Sequence, residues 1–319
     1  MGTILVTGSS GHLGEALVRT LRAAGRSVRG LDVLPSPFTD VVGSIVDRDI
    51  VRRAMHGVDA VLHAATLHKP HVATHARRQF IDVNVTGTLV LLEAAVRARV
   101  RAFVYTSTTS AFGRALSPPP GEPAAWLTED VVPVPKNIYG VTKVAAENLC
   151  ELAHRDTGMP CLVLRTSRFF PEEDDQPAVR AARADSNNKA NEFLYRRVDI
   201  EDVVEAHLLA LAKAREIGFA RYIVSATTPF AREDLALLRA DAPAVVRRYV
   251  PEYAAEYARH GWTMFESIDR VYDNAKARDE LGWRPKVDFA AVIERLRATG
   301  DVQSPLARAV GAKGYHRTP

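Results

Sequence analysis

The chain has 319 residues, 47% of them apolar, and a net charge of +4, enough for one large domain or two smaller ones with a real core. The charges are scattered, no basic stripe carries interleaved aromatics, and the pairs Arg52-Arg53, Arg77-Arg78 and Arg247-Arg248 read as solvated surface, which disfavours nucleic-acid binding. Two cysteines, Cys150 and Cys161, lie in apolar surroundings without Cys-x-x-Cys or metal-ligand spacing, as reduced thiols of a cytoplasmic protein do.

Residues 3–7 form a short, continuously apolar run, the pattern of a strand buried on both faces. The run leads straight into Gly8-Ser9-Ser10-Gly11-His12-Leu13-Gly14, which leaves no room for a signal peptide, and no stretch approaches the roughly 20 apolar residues of a membrane span. Leu13, Leu17 and Leu21 follow at helical spacing, with Gly25 as the stop. Strand, glycine turn and helix in this order make a dinucleotide-binding start, in which the pyrophosphate rests on the helix N-terminus.

The second strand, 27–31, ends in Asp32. An acid about 20 residues past the glycines accepts both adenosine ribose hydroxyls and repels a 2′-phosphate, which favours NAD over NADP. A third short strand over 41–45 precedes a helix over 47–56, and a fourth strand over 59–63 runs into Ala64-Ala65-Thr66, a small-residue wall suited to a cofactor. His68, Lys69, His71 and His75 follow at irregular spacing with no Cys or carboxylate cluster, so a loop bordering the active site fits better than a metal centre.

A long helix over 75–98 carries Asn84 near its middle, a poor interior residue that calls for a specific role. The fifth strand, 101–106, ends in Ser107-Thr108-Thr109-Ser110, hydroxyls at the sheet edge where open α/β folds bind ligands. Residues 114–136 are too long for a simple connection and read as a lid or an inert excursion. The next helix, to about 154, holds Tyr139-Gly140-Val141-Thr142-Lys143. Tyrosine and lysine four apart share a helix face, and a neighbouring ammonium favours the phenolate needed for acid/base work. Alone the pair arises by chance in many helices.

A sixth strand over 160–164 completes a run of β-α alternations that means a parallel, doubly wound sheet. Residues 172–190 are polar, 197–200 return to strand character, 202–215 are helical and 221–225 a strand. The expected division is a nucleotide-binding domain over 1–166, rejoined by 197–225, with a smaller interleaved domain from 167–196 and 226–303, and a frayed tail over 304–319.

Taken together, Gly8-x-x-Gly11-x-x-Gly14, Asp32, His63-Ala64-Ala65, Asn84, Ser107-Thr108, Tyr139-x-x-x-Lys143 and Leu281-Gly282-Trp283 resemble the extended short-chain dehydrogenases/reductases, and more narrowly the NAD-dependent epimerase/dehydratase group. The resemblance implies a Rossmann-type sheet with a C-terminal substrate domain, and NAD cradled by Gly8, Ser10, Gly11, His12, Leu13, Gly14, Asp32, Ser44, Ile45, Ala64, Ala65, Thr66, Thr106, Tyr139 and Lys143. It implies proton transfer by Tyr139, a Lys143 that lowers the tyrosine's pKa, a Thr108 that bonds the reacting oxygen, and an Asn84 linked to the lysine through water. It also implies a homodimer paired through the helices of Asn84 and Tyr139. Ser44 departs from the acidic residue usual beside the adenine.

The substrate end departs further. Arg168-Phe169-Phe170-Pro171 replaces the usual Asn before Tyr-Gly-Pro, and Phe193 and Thr263 stand where the family's phosphate-binding arginines belong. A diphosphate would lose charge-assisted partners there. The stretch 164–172 looks closer to uronate dehydrogenases, and Arg168, Arg196 and Arg197 could face a carboxylate or phosphate on a smaller substrate, beside Thr108, Thr109 and His68. These residues point to an NAD-dependent oxidoreductase acting on a small, sugar-like hydroxyl or ketone. The alternatives are a nucleotide-sugar 4-epimerase with tightly held NAD and a non-catalytic NAD sensor. A dehydratase fits less well, because Thr109-Ser110 replaces the Asp-Glu pair that chemistry wants.

Overall fold

A computed structural model describes residues 2–174 and 176–314. The elements in chain order begin with β1 (Thr3–Thr7), α1 (His12–Ala23), β2 (Val28–Asp32), β3 (Val41–Val42), α2 (Arg48–Ala54) and β4 (Val58–His63). They continue with α3 (Arg77–Phe80), α4 (Gly87–Ala98), β5 (Ala102–Thr108), β6 (Ala125–Leu127), α5 (Ile138–Thr157), β7 (Cys161–Thr166), α6 (Pro177–Ala182), α7 (Asp185–Glu192), α8 (Ile200–Ile217) and β8 (Phe219–Val224). Then come α9 (Leu235–Ala240), α10 (Ala242–Tyr249), α11 (Tyr253–His260), β9 (Arg270–Tyr272), α12 (Ala275–Glu280), α13 (Phe289–Thr299) and α14 (Pro305–Val310).

Seven strands form one parallel sheet in the order β3-β2-β1-β4-β5-β7-β8. The apolar runs are continuous because alternate residues feed two cores. Ile4, Val6, Leu62, Val104, Leu164 and Tyr222 face α1 and α8, while Leu5, Val61, Phe103, Tyr105 and Val163 face α2, α4 and α5. The strand order reverses between β1 and β4, and a crevice opens there at the strands' carboxyl ends, where doubly wound sheets bind ligands.

A second core gathers Phe193, Leu194, Phe230, Leu238, Val246, Tyr257, Val271, Phe289 and Leu296, with Ala124 from the segment before β6. Trp283 instead belongs to the first core, fully buried, with its indole N–H donating to the Asp202 carbonyl at 2.9 Å.

Several expectations change. The third strand is only Val41–Val42, and 197–200 give one bridge, Arg168 to Arg197, before Asp199 caps α8. Residues 114–136 are not an idle excursion: β6 pairs in parallel with β9, and Trp126 donates to Asp273 at 3.0 Å. The polar stretch 172–190 holds α6 and most of α7, whose Asn187, Asn188, Lys189, Asn191 and Glu192 are buried. Asn187 and Asn191 both donate to the Thr263 carbonyl, at 3.1 and 2.9 Å. The tail is docked through α14, with Val310 in the first core and Ser304 donating to Asp199 at 2.8 Å; 315–319 lie outside the described residues. Finally, the stretch Arg77–Ala98 is long and apolar enough to cross a membrane by length and composition, with half of its apolar window buried against the rest of the protein.

Candidate active site

One cavity of about 900 Å³ runs from the glycine turn past Asp32 to Tyr139, Lys143 and Arg168. Its floor is set by backbone close approach. Gly8 has φ +73°, and a Cβ there would lie 2.7 Å from the Ala65 nitrogen; one on Gly14 would lie 1.9 Å from the Gly8 carbonyl oxygen. Both positions therefore exclude a side chain. Gly11 caps α1, so the helix N-terminus faces the cavity. At the end of β2, Asp32 accepts from Ser10 N at 3.1 Å and Leu34 N at 2.9 Å, which fixes the carboxylate at the cavity edge. Ser44, Ile45, Ala64, Ala65 and Thr66 continue the lining.

One of the proposed cofactor contacts faces a carboxylate of the protein. His12, at the start of α1, lies 2.9 Å from Glu172. Lys313 comes back from the tail, bonding Glu15 with its ammonium and Glu172 with its backbone N–H at 2.6 Å, and it lines the same cavity. No sequence signal foretold Lys313, which joins residues about three hundred positions apart.

The acid/base group is placed by α5. Asn137 caps that helix, accepting from Gly140 N at 3.1 Å, and Tyr139 follows in the first turn. Tyr139 is almost wholly buried, and burial pushes its phenol up to about 12, with the Thr108 hydroxyl pulling the other way. Burial drives Lys143 down to about 7, against the opposing pull of Glu147. Its amine donates to the Thr106 carbonyl at 2.6 Å and lies 4.2 Å from the centre of the Tyr105 ring. Burial is the largest influence on both groups, and Thr108 is the neighbour that opposes the rise of the phenol. Thr108 ends β5 and caps the following turn, accepting from Ser110 N at 3.1 Å. Beneath, Ser107 and Arg165 both grip the buried Glu147, at 2.5 and 2.8 Å, and tie β5, β7 and α5 together.

Asn84 is brought beside the cavity, not into it. It sits in a π turn, Ile81–Thr86, that joins α3 to α4, the kind of local widening that accommodates a residue with its own bonds to make. Its carbonyl accepts from Thr66 Oγ1 at 2.9 Å and Leu67 N at 2.7 Å, and its amide donates to Leu67 O and Thr142 Oγ1, both at 3.1 Å. All four positions of the side chain are taken, and they form a direct bracket between the loop after β4 and α5.

His68 and Thr109 also line the cavity, with the His68 ring 6.5 Å from that of Tyr139. Burial and the neighbouring His71 lower His68 to about 3, so it is neutral. Arg168 lines the cavity but pairs with Asp174 and, at 3.3 Å, Glu192. Arg196 bonds Glu192 at 2.7 Å. Arg197 is wholly committed to Glu192 and the Phe170 carbonyl and does not reach the cavity, contrary to its expected role. Phe193 is core, and Thr263 is bonded to α7. Sequence reasoning missed Ser117, Lys136 and Gln176, and it missed Asp269, Arg270 and Tyr272, which lie on or beside β9.

Comparison with known proteins agrees with this architecture. The model of the NAD dependent epimerase/dehydratase family matches residues 4–224. The chain belongs to that family, within the extended short-chain dehydrogenases/reductases, and its cofactor is NAD. It is 30% identical to a dTDP-glucose 4,6-dehydratase of Streptomyces niveus, over 90% of this chain and 89% of that one. Uncharacterized protein y4nG of Sinorhizobium fredii is 34% identical over 51% of this chain, a match that spans only 40% of y4nG. Among solved structures, a short-chain dehydrogenase/reductase superfamily protein from Agrobacterium tumefaciens with bound NAD aligns at 25% identity and TM-score 0.65, over 93% of this chain and 98% of that one.

Proposed function

We propose that the protein is an NAD-dependent oxidoreductase that moves a hydride to or from the carbon of a hydroxyl or ketone on a small, sugar-like substrate, with Tyr139 as the general acid/base. The observation that carries this reading is the convergence of the Tyr139 phenol, Thr108 and Lys143 in the cavity that begins at the glycine turn. NAD supplies the hydride acceptor. Gly8, Gly11, Gly14 and Asp32 would hold its adenosine diphosphate half, and Thr106, Tyr139 and Lys143 would border its reactive end. Thr108 orients the reacting oxygen, and Tyr139 takes or returns its proton. Burial of both groups keeps water from that proton, and fixing the reactants side by side removes much of the entropic barrier.

A panel of hexoses, uronic acids and nucleotide sugars with NAD, followed by NADH absorbance, tests this. Non-nucleotide substrates are expected to reduce added NAD. Turnover of UDP-sugars alone, without added NAD, would establish the 4-epimerase alternative instead.

A cytoplasmic homodimer is part of the proposal. Ile81, Leu89, Val141 and Leu152 are large apolar residues left exposed on the helices that hold Asn84 and Tyr139. Sedimentation is expected to give a dimer at micromolar concentration, and a strict monomer would remove that part.

A further inference from the structure

We infer that the substrate carries an anionic group, a carboxylate or a phosphate monoester, held by Arg270 and Arg196 in the wall between the reaction cavity and a second depression. The inference rests on the oxidoreductase reading above.

The second depression, of about 410 Å³, shares Arg196, Asp269 and Arg270 with the reaction cavity. Arg183 and Arg239 also line it, and Asp269 is the one acid among the described residues that do. Arg183 spends itself on neutral partners, donating to Thr263 Oγ1 at 2.9 Å and lying 5.1 Å from the centre of the Phe265 ring. Arg196 shares Asp174 and Glu192 with Arg168 and Arg197, so three guanidiniums divide two carboxylates among the described residues. Arg270 has its own chain neighbour, Asp269, at 2.8 Å. The guanidiniums of Arg196 and Arg270 lie 5.4 and 5.3 Å from the centre of the same Tyr195 ring, and both bury an Nε–H with no acceptor.

Guanidiniums cannot shed their charge. Crowding them in a partly desolvated wall is unfavourable unless an anion joins them. No step proposed for Tyr139, Lys143 or Thr108 uses this surplus. Arg196 and Arg270 line the same cavity as Tyr139 and Lys143, so a substrate that reaches those two groups can offer another part of itself to the arginines. A carboxylate and a phosphate monoester both present the paired oxygens that a guanidinium binds through two parallel N–H bonds.

The test uses the full chain with NAD and a matched set: a neutral hexose, the corresponding hexuronic acid and the hexose 6-phosphate. The kcat/KM for at least one anionic member is expected to exceed that of the hexose by about tenfold or more, and the better of the two identifies the group. Arg270→Gln is expected to lower that ratio about 10- to 100-fold, the worth of a hydrogen bond to a charged group, and Arg270→Lys to recover part of it. Equal loss on neutral and anionic substrates, or no preference in the parent protein, overturns the inference. NAD titration of each variant checks that it is folded.

Calorimetry separates the two ideas. Inorganic phosphate titrated into NAD-loaded Tyr139→Phe protein is expected to bind, and to bind at least about tenfold more weakly when Arg270→Gln is added. Such binding without hydride transfer to any sugar sinks the oxidoreductase reading and keeps the subsite. Hydride transfer to neutral sugars with no phosphate binding, or binding indifferent to Arg270, sinks the subsite and keeps the reading.

Discussion

Tyr139→Phe is expected to lower kcat/KM about a thousandfold while leaving NAD affinity and thermal stability close to those of the parent. The substitution removes one hydroxyl. The ring stays in its slot in the first turn of α5, and Asn137 still caps the helix through Gly140. What is lost is the group that exchanges a proton with the substrate oxygen, an effect of about 10²- to 10⁴-fold in rate. Thr108 does not substitute for it, since a hydroxyl flanked by no base titrates far above any working pH. Steady-state rates together with an NAD titration check the split; a variant that keeps more than a tenth of the parent's rate would remove Tyr139 from the mechanism.

The pH profile follows from the same burial. With the phenol pushed up to about 12, only a small fraction is ionised near neutrality. Oxidation needs the phenolate, so its kcat/KM should climb with pH across the alkaline range. Reduction needs the protonated phenol, which is present throughout, so its rate should show no matching rise. Lys143, driven down to about 7 by burial, loses its charge over the lower part of that range. An oxidation rate that falls with rising pH above neutrality would contradict the assignment.

Much of the fold was legible because the sheet repeats one rule. Each central strand is apolar on both faces, each helix carries one apolar stripe, and the glycines at 8, 11 and 14 fix where the first of them meet. Asp32, Tyr139 and Lys143 were legible for the same reason: their places follow from local elements whose spacing is short. Where the expectations failed, the deciding contacts were long-range. The loop over 114–136 has no strand pattern of its own, and β6 exists because Ala125–Leu127 meet Arg270–Tyr272. α7 reads as solvent-facing, yet Asn187 and Asn191 are buried because Thr263 and Tyr257 complete their hydrogen bonds. Asn84 was flagged by its poor helix propensity, and the π turn is what it bends the helix into. The membrane test on Arg77–Ala98 and its burial against α5 show why composition alone cannot tell a core helix from a span.

The arginines of the substrate end were noticed in sequence, but their counter-charges were not. Charge pairing depends on which carboxylates the fold delivers, and Asp174 and Glu192 come from a segment whose structure the sequence did not disclose. That makes Glu192 the position where the next loss of stability should be largest. It is almost wholly buried and bonds three guanidiniums, Arg168 at 3.3 Å, Arg196 at 2.7 Å and Arg197 at 2.8 Å. Glu192→Gln keeps the shape and removes the charge. Arg168 and Arg196 would then keep only Asp174 among the described residues and Arg197 would keep no carboxylate there, and breaking a buried pair by neutralising one partner costs about 3–5 kcal/mol. Urea unfolding should show a lower midpoint with an unchanged slope, because the surface exposed on unfolding is the same.

The acid limb gives an independent check. Burial pushes Glu192 up, but Arg197, Arg196 and Arg168 outweigh it and hold the carboxyl below its usual range. Burial likewise raises Asp174, and Arg168 and the Gln176 backbone N–H bring it below the usual range. A carboxyl depressed in the folded state stabilises the fold above its unfolded pKa, about 4, and the contribution is lost as pH falls through the depressed folded value. The parent protein should therefore lose stability below about pH 4, and Glu192→Gln should lose less over the same interval because one of the two groups is gone. Because Asp174 and Glu192 share Arg168 and Arg196, Glu192→Gln and Asp174→Asn should not add: once one carboxylate is removed, the other is the sole anion left to the cluster, and its loss costs more. Additive losses would mean that the arginines are satisfied elsewhere, and the surplus charge proposed to receive the substrate's anion would lose its foundation.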